Sequence, residues 1–596
     1  MSDLGIYIAA TALDAQQVGM DTVSQDIANV NTPFYSRETT NMSAVAGVYT
    51  TDAGVSVPSV SQINNAVTTA AMMTADGMLS AQQATNQVLT SAQSLFPEPN
   101  GGGLQSLLSQ FWSQWDNVAN EPSNSAARQA LVGMAQQVAN ALNQASGGLS
   151  TLQNQLVSGS SSSLQSTLTQ ANTLLDQVAN LNQQILTAKA GASDANALID
   201  QRRQYLDQLA QLIGTTYRDN ADGTSTVYLG GLEVVQDNQA LPPAPGQPLT
   251  FTLSWTGTSA NIQVNYTDSS GVTVATPPLG GTAAGLVAAV NYLNNYQTSL
   301  NNVASTLAST VNNQQASGYY WAGGAGSSPS ASGTTAYAGS VDTSGNPLAV
   351  FVNSRTGTSA GVTATNIGLD SEVTANPYYL AASSQSANAS TMSSSPTPAS
   401  TTIGGSNDTL AMSLNGVSNT LTLTSSSYTP TALATEVQNQ LNAQFGPGQA
   451  TATINPAGYL VITDTAGGAQ SLQVTGGTAL GTLGLTAMQV ASTGGAQQNN
   501  GGNAQLVAEL ANSLNGPDPI YRSFISQLGT DVSTSTSQMK AQQSATNSAD
   551  QIFQSLSGVS TDEETIQMQL YQQAYQAAAK VVTAAQAMFQ SLIQAV

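Results

Sequence analysis

The chain has 596 residues, 10 basic and 32 acidic side chains, a formal net charge of −22, and neither cysteine nor histidine. This length predicts about three or four domains, because one hydrophobic core rarely organises so many residues. The negative charge disfavours binding to nucleic acid or anionic membranes. The missing cysteine and histidine exclude disulfides, the usual general base and the commonest transition-metal ligand.

The first predicted element is an amphipathic helix over about residues 3–30. Apolar residues recur in it every seven positions, the repeat typical of a coiled-coil seam. These positions are Ile6, Leu13, Met20 and Ile27. The helix is expected to end before Pro33, because proline breaks a helix. The segment lacks the basic and uninterrupted apolar regions of a cleavable secretory signal, and no stretch reaches the roughly 18 apolar residues that span a bilayer.

The middle of the chain alternates between helical and β-rich segments. Helical periodicity predicts a long bundle formed by residues 62–95, 104–120, 126–188 with a break at 158–163, 196–213, 283–315 and 521–556. After Gly214, short β-branched runs with a period of two predict antiparallel strands. A second β-rich stretch begins near Ser327. It contains a unit that is predicted to be hairpin, helix, hairpin, with Thr429 as the helix cap and Pro430 at the first helical position.

The last predicted element is a second amphipathic helix. Apolar residues recur in it at the heptad positions Met568, Tyr575, Val582 and Phe589. A second line of heptad positions, which contains Tyr571 and Leu592, is interleaved with the first. Thr561 stands three residues before Glu564, the spacing of a capping box. The acidic residues Asp562, Glu563 and Glu564 place negative charge at the positive end of the helix dipole.

The predicted fold class is multidomain α + β, with terminal coiled-coil-like helices and a long discontinuous helical bundle into which outer β-rich domains are inserted. Four domains are expected: residues 1–38 with 559–596 as a terminal helical assembly domain, 39–213 with 283–318 and 500–558 as the bundle, 214–282 with 319–384 as a β-rich domain, and 385–499 as a small inserted α+β module.

Catalytic and metal sites are not predicted, and neither is a cofactor. The glutamates are scattered over different elements, so that no glycosidase-like pair can be proposed from spacing. Residues 218–226 resemble a calcium loop, but Ala221 occupies a ligand position and no glutamate closes the loop. A strand-joining turn at Asp222 and Gly223 is favoured instead. Phosphate-binding loops are absent from the sequence. We therefore expect no enzyme.

The two terminal seams admit two interpretations. The first and last helices could pack on each other within one chain, as in an ordinary bundle. Alternatively, their small residues and apolar tyrosines could form surfaces that are repeated between subunits of an open helical assembly.

The segment "SQDIANVNTPFYSRE" resembles the N-terminal motif of the axial proteins of the bacterial flagellum, namely the rod, hook and hook-associated proteins. The residues that carry this motif turn are Ala28, Asn29, Asn31, Thr32, Pro33 and Tyr35. Phe34 occupies the position where the family usually has glycine. The sequence therefore does not determine the backbone path of the bend, since a turn that depends on glycine at positive φ must be formed by other means.

The segment "SGVSTDEETIQMQLYQQAYQA" narrows the resemblance to the hook-associated proteins. Its start is formed by Ser557, Gly558, Val559, Asp562, Glu563 and Glu564. The inserted module is similar to a small module found in flagellins and hook-associated proteins.

The resemblance implies a structural subunit at the junction between hook and filament, located on the extracellular flagellum. Implied partners are copies of the chain in a ring or tier, the hook protein, the neighbouring hook-associated protein and the filament side, and an export chaperone on the C-terminal helix. Export through the flagellar type III apparatus would need no signal cleavage. The hypothesised assembly interface consists of Ile6, Leu13, Met20, Ile27, Met568, Tyr571, Tyr575, Val582, Phe589 and Leu592.

The alternative is a surface adhesin or glycan-binding protein with a helical stalk. It would use exposed aromatic residues on β loops, and Tyr319, Tyr320 and Trp321 form such a group in the sequence. The favoured interpretation of the same residues is a buried anchor at the helix-to-β transition, because large aromatics usually lie in cores.

Overall fold

The structure is a computed structural model. It describes residues 2–45, 54–98, 102–158, 161–191, 194–240, 250–256, 259–267, 273–276, 280–321, 337–339, 348–384, 391–396, 400–414, 417–455, 458–464, 472–486 and 500–595.

Helices, most of them long, account for most of the described residues. They are α1 (Ser2–Ala28), α2 (Ala66–Ser94), α3 (Leu104–Asn120), α4 (Ser125–Val157), α5 (Ser163–Ala190), α6 (Asn196–Ile213), α7 (Gly281–Ser317), α8 (Ser371–Ala375), α9 (Pro430–Phe445), α10 (Leu480–Leu483), α11 (Gly502–Glu509), α12 (Pro517–Ser557) and α13 (Thr561–Ala595). Every helical segment predicted from periodicity is confirmed. Two have the predicted bounds, because α3 is strongly amphipathic and α6 ends at Gly214, whose φ of +73° suits only glycine without strain.

The strands are short. They are β1 (Glu38–Ala44), β2 (Val55–Gln62), β3 (Thr216–Asp219), β4 (Ser225–Leu229), β5 (Leu232–Gln236), β6 (Gln239–Ala240), β7 (Thr250–Thr256), β8 (Ser259–Thr267), β9 (Thr273–Thr276), β10 (Tyr319–Trp321), β11 (Tyr337–Gly339), β12 (Phe351–Asn353), β13 (Ile367–Leu369), β14 (Thr391–Pro396), β15 (Thr401–Ile403), β16 (Thr409–Leu414), β17 (Val417–Thr422), β18 (Ser426–Tyr428), β19 (Ala450–Ile454), β20 (Tyr459–Asp464) and β21 (Gln473–Gly476). All their pairings are antiparallel, as the period-two alternation predicts.

The chain forms two compact units, and the first comprises residues 1–92, 151–295 and 529–596. Within it, α5 packs on α6 and on the sheet of order β3-β4-β5-β6. The core there consists of fully buried aliphatic side chains, among them Leu168, Leu175, Val178, Leu209, Val227 and Val235. The turn predicted at Asp222 and Gly223 joins β3 to β4, with Gly223 at a φ of +97°.

The second unit comprises residues 93–150 and 296–528. Its largest buried side chains lie on α3, where Trp112 donates from Nε1 to Oδ2 of Asp518 at 2.8 Å. The inserted module has its own core and the predicted order of hairpin, helix and hairpin. Thr429 caps α9 by accepting from the backbone N–H of Ala432 at 3.3 Å. The finer division into four domains stays a prediction.

Candidate functional site

The terminal helices α1 and α13 pack against each other within the first unit. Their contact is lined by small residues of α1, of which Ala9, Ala15 and Gly19 are buried. The ring of Tyr571 lies directly over Gly19, because a Cβ atom there would be only 2.7–2.9 Å from its ring carbons. The hydroxyl of the same tyrosine lies 3.0 Å from Oγ1 of Thr40 in β1. Tyr571 therefore joins α13 to both α1 and the β1–β2 hairpin.

Of the residues of the predicted assembly interface, Tyr571 forms part of this contact. Ile6, Leu13, Met20, Ile27, Met568, Tyr571 and Val582 are half-buried, and Tyr575 and Phe589 are exposed. The side chain of Leu592 lies outside the described part of the structure. The packing of α1 on α13 corresponds to the intramolecular interpretation of the seams, and contact with other subunits stays a prediction for these residues.

A second apolar line on α13 was not predicted. Ile566, Leu570, Val581 and Met588 are 58%, 52%, 52% and 62% exposed, respectively. Their spacings of four, eleven and seven residues keep them on one side of the helix, about 100° from the line that faces α1. The sequence analysis followed a strict seven-residue repeat, whereas apolar residues at spacings of both four and seven could have revealed this line. We name these four residues the outer stripe.

The bend after α1 is built by the motif residues. The side-chain amide of Asn29 donates to the carbonyl of Gln25 at 3.0 Å, and Thr32 donates from Oγ1 to Oδ1 of Asn29 at 3.1 Å. The backbone N–H of Thr32 also donates to the carbonyl of Asn29. Asn31 and Pro33 are exposed. Asn29 and Thr32 thus form the turn that ends the helix and redirects the chain.

Phe34 keeps a backbone conformation that favours glycine. Its φ is +62°, in the left-handed region that other residues rarely adopt. Its side chain is only 7% exposed and packs on Phe553 of α12, with 6.2 Å between ring centroids. The bend therefore retains a positive φ at this position, and burial of an aromatic ring compensates for the strain of the Cβ atom.

Tyr35 and Asp26 form the buried centre of the bend. The hydroxyl of Tyr35 donates to Oδ1 of Asp26 at 2.7 Å, and the backbone N–H of Glu38 donates to both Asp26 oxygens at 3.1 and 3.2 Å. Burial raises the pKa of Asp26 to about 6, although these hydrogen bonds lower it in part. Burial also raises the pKa of Tyr35, so its phenol stays a donor. Ala28, which ends α1, is exposed.

Arg37 connects the bend to the start of α13. Its Nη1 lies 2.9 Å from Oε2 of the exposed Glu563, and its Nε lies 2.5 Å from Oε1 of the buried Glu564. The second contact is an ion pair whose angles are not those of a hydrogen bond. The backbone N–H of Arg37 also donates to the carbonyl of Ser557 at 2.8 Å. These contacts tie residues separated by more than five hundred positions in the sequence.

The predicted cap of α13 needs one correction. The helix begins at Thr561, and the preceding residue Ser560 accepts a hydrogen bond from the backbone N–H of Glu563 at 3.4 Å. Ser560 is therefore the N-cap, because the cap residue stands outside the first helical position. Glu564 lies one position too late for a capping box and pairs with Arg37 instead. Of the predicted start residues, Gly558 and Val559 are half-buried, and Asp562 is exposed.

Helix α6 supports the bend through Arg203, which the sequence analysis did not single out. Its Nη1 donates to Oγ of Ser36 at 2.9 Å, to Oε1 of Gln62 at 3.0 Å and to Oδ1 of Asp200 at 2.9 Å. Burial raises the pKa of Asp200 to about 7, although Arg203 opposes this shift. The buried guanidinium of Arg203 thus stabilises the bend, although no local sequence pattern indicates this contact.

Among the described residues, no three acidic side chains are arranged to hold a metal ion. In the loop that resembles a calcium site, Nη2 of Arg202 lies 3.3 Å from Oδ1 of Asp219, so a guanidinium is placed beside the acidic group. Within the described helices, none is long and apolar enough to cross a membrane. The side chains of Tyr319, Tyr320 and Trp321 lie outside the described part.

Three family models match the chain. The model described as the flagellar hook-associated protein FlgK helical domain covers residues 89–328. Those described as flagella basal body rod protein and flagellar basal body rod FlgEFG protein C-terminal cover residues 6–35 and 550–595, which contain α1 and α13. The two ends and the helical middle of the chain are therefore similar to the family of flagellar rod, hook and hook-associated axial proteins.

Within that family, the chain is similar to flagellar hook-associated protein 1. It is 26% identical to that protein of Bacillus subtilis (strain 168) over 233 residues, which are 37% of this chain and 45% of the relative. It is 27% identical to that of Salmonella typhimurium over 277 residues, which are 44% of this chain and 49% of the relative. The chain thus spans about half the length of the curated relatives it matches.

A solved structure shares the fold. The flagellar hook junction protein FlgK from Burkholderia pseudomallei aligns over 83% of this chain and 100% of its own, with a TM-score of 0.52 and 18% identity. The fold class predicted from the sequence is confirmed by this similarity. The adhesin alternative receives no support from these comparisons.

Proposed function

We propose that the chain is a structural, non-enzymatic subunit of the bacterial flagellum that forms the junction between hook and filament. The observation that carries the proposal is the terminal helix pair with its uncovered outer stripe. Four large apolar side chains, each more than half exposed, lie along one side of α13, and soluble proteins rarely leave such a line uncovered unless it binds a partner.

We propose different partners for this surface before and after assembly. Copies of the chain in a ring or tier would pack their terminal helices side by side, with the hook on one side and the neighbouring hook-associated protein and filament on the other. The part-exposed seam residues Leu13, Met20 and Val582 and the exposed Phe589 would join the outer stripe in these contacts. Before assembly, an export chaperone would cover the stripe on α13. The proposed location is the extracellular flagellum, reached by type III export.

The outer stripe provides the test. Cells that carry Leu570→Gln and Val581→Gln in place of the normal chain should form hooks without attached filaments. A matched control replaces two exposed polar residues of the same helix, Gln572→Ala and Gln576→Ala, and should attach filaments normally. The level of each variant in the culture medium shows whether it is exported.

Deletion of residues 562–596 completes the series and should abolish attachment. Normal filaments on the hooks of cells with this deletion would rule out the junction role. If only the stripe variant forms normal filaments on its hooks, the outer stripe is not the assembly surface.

A further inference from the structure

Two acidic side chains meet where α2 crosses α6, one turn along α6 from Arg203. Gly77 of α2 lies against Ala210 of α6, because a Cβ atom on Gly77 would be 2.7 Å from the Ala210 carbonyl oxygen. The two backbones therefore approach closely, since a side chain at this position of α2 would meet the backbone of α6. Asp76 precedes this glycine and Asp207 lies one turn before Ala210, so both carboxyl groups sit at the crossing.

The two carboxyl groups lie close enough at the crossing to interact with each other. Asp207 is buried, its Oδ2 accepts from Nε2 of Gln211 at 2.5 Å, and its buried Oδ1 receives no N–H or O–H donor from the described residues. An ionised carboxylate can only accept hydrogen bonds, so two neighbouring carboxyl groups can bond to each other only while one of them holds a proton.

The charged groups that face the pair are acidic. Asp550 of α12 acts on Asp76, and each member of the pair acts on the other. Helix α12 is held there by the side-chain amide of Gln542, which donates to the carbonyl of Ala75 at 3.2 Å. Three helices thus contribute three carboxyl groups here, and the side chain that donates to Asp207 is the neutral amide of Gln211.

We propose that Asp76 and Asp207 form a proton-linked clasp that holds α2 to α6 while they share a proton and weakens when that proton is lost. Ionisation of both places two negative charges at a backbone-to-backbone contact without a compensating cation. The fold of the first unit is in this way coupled to pH, independently of the proposed assembly function.

The direction of the pH dependence follows from the pKa values of the two carboxyl groups in the folded and unfolded states. Burial first, and then Asp76, raises the pKa of Asp207 to about 8, and burial likewise raises the pKa of Asp76. The pKa of Asp207 in the folded state therefore lies above the unfolded value of 3.8. Stability from this group is complete below the unfolded value of 3.8, and it is lost progressively as the pH rises from there through about 8.

The first experiment compares urea unfolding of the full chain with that of Asp207→Asn between pH 5 and 7. Asparagine supplies an N–H donor at every pH, so the variant keeps the bond to Asp76 without a titrating proton. The unfolding equilibrium constant of the unmodified chain should rise about tenfold more per pH unit than that of the variant, the slope that one proton gives. Asp14→Asn, at an exposed position of α1, should keep the slope of the unmodified chain.

A second measurement leaves both aspartates in place and so does not depend on whether the variant folds. Since the chain has no cysteine, Met78→Cys and Gln201→Cys place two spin labels at exposed positions of α2 and α6. The distance distribution between the labels should be narrow at pH 6 and broaden above pH 8. Equal unfolding slopes for the unmodified chain and Asp207→Asn, or an unchanged label distance from pH 6 to 9, would overturn the clasp.

Discussion

Replacing Phe34 by glycine and by alanine tests how the bend is made. Truncating a buried phenylalanine to alanine costs about 3–5 kcal/mol, and at Phe34 alanine would keep the strain of a Cβ atom at a φ of +62°. Glycine removes that strain, about 1–2 kcal/mol, but costs about 0.5–1 kcal/mol in additional chain entropy. We therefore expect Phe34→Gly to be more stable than Phe34→Ala by roughly 1 kcal/mol, although both are less stable than the unmodified chain.

The partner ring supplies the matched control. Phe553 lies inside α12, where glycine is less favourable than alanine by about 1 kcal/mol. Phe553→Gly should therefore be less stable than Phe553→Ala, the opposite order to that at Phe34. The assay is urea unfolding of all four variants, followed by amide hydrogen exchange of α1 and α12. If alanine is equal to or better than glycine at position 34, the positive φ does not set the stability of the bend.

Two further substitutions test the contacts around α13. Arg37→Gln should destabilise the terminal helix pair by about 3 kcal/mol, because it leaves the buried Glu564 carboxylate uncompensated; adding Glu564→Gln should restore much of the loss, as a double-mutant cycle of unfolding free energies would show. Gly19→Ala should destabilise the chain even though alanine favours helices, since the new methyl group meets the ring of Tyr571. At Gly133 of α4 nothing lies within 4 Å of a Cβ atom, and there alanine should raise the unfolding free energy by about 1 kcal/mol. A stabilising effect at both glycines would contradict the close contact with Tyr571.

The helices were predictable because their determinants are local. In α6, an apolar face and a glycine at the C-terminus are both readable from 18 consecutive residues. In α9, Thr429 and Pro430 mark the start in the same way. The cap of α13 was placed one residue late, because Ser560 and Thr561 are both good cap residues and only the ion pair of Arg37 with Glu564 separates them.

The contacts of the bend could not be predicted because they are not local. The sign of φ at Phe34 depends on a ring that lies on α12, and Arg203 reaches the bend from α6. The outer stripe was missed for another reason. An α-helix has about 3.6 residues per turn, so a line of strict seven-residue repeats drifts around the helix, and residues off that line can lie together on another face.

The contacts of Tyr571 fix the axial position of α13 relative to α1. Its ring rests on Gly19 and its hydroxyl on Thr40, so α13 cannot slide along α1 by one residue, about 1.5 Å, without losing both contacts. In an open helical assembly each subunit repeats the same axial offset, and an error in one subunit is added again by the next. A single aromatic side chain that fixes the axial position of a docking surface would keep such errors from accumulating along the tier.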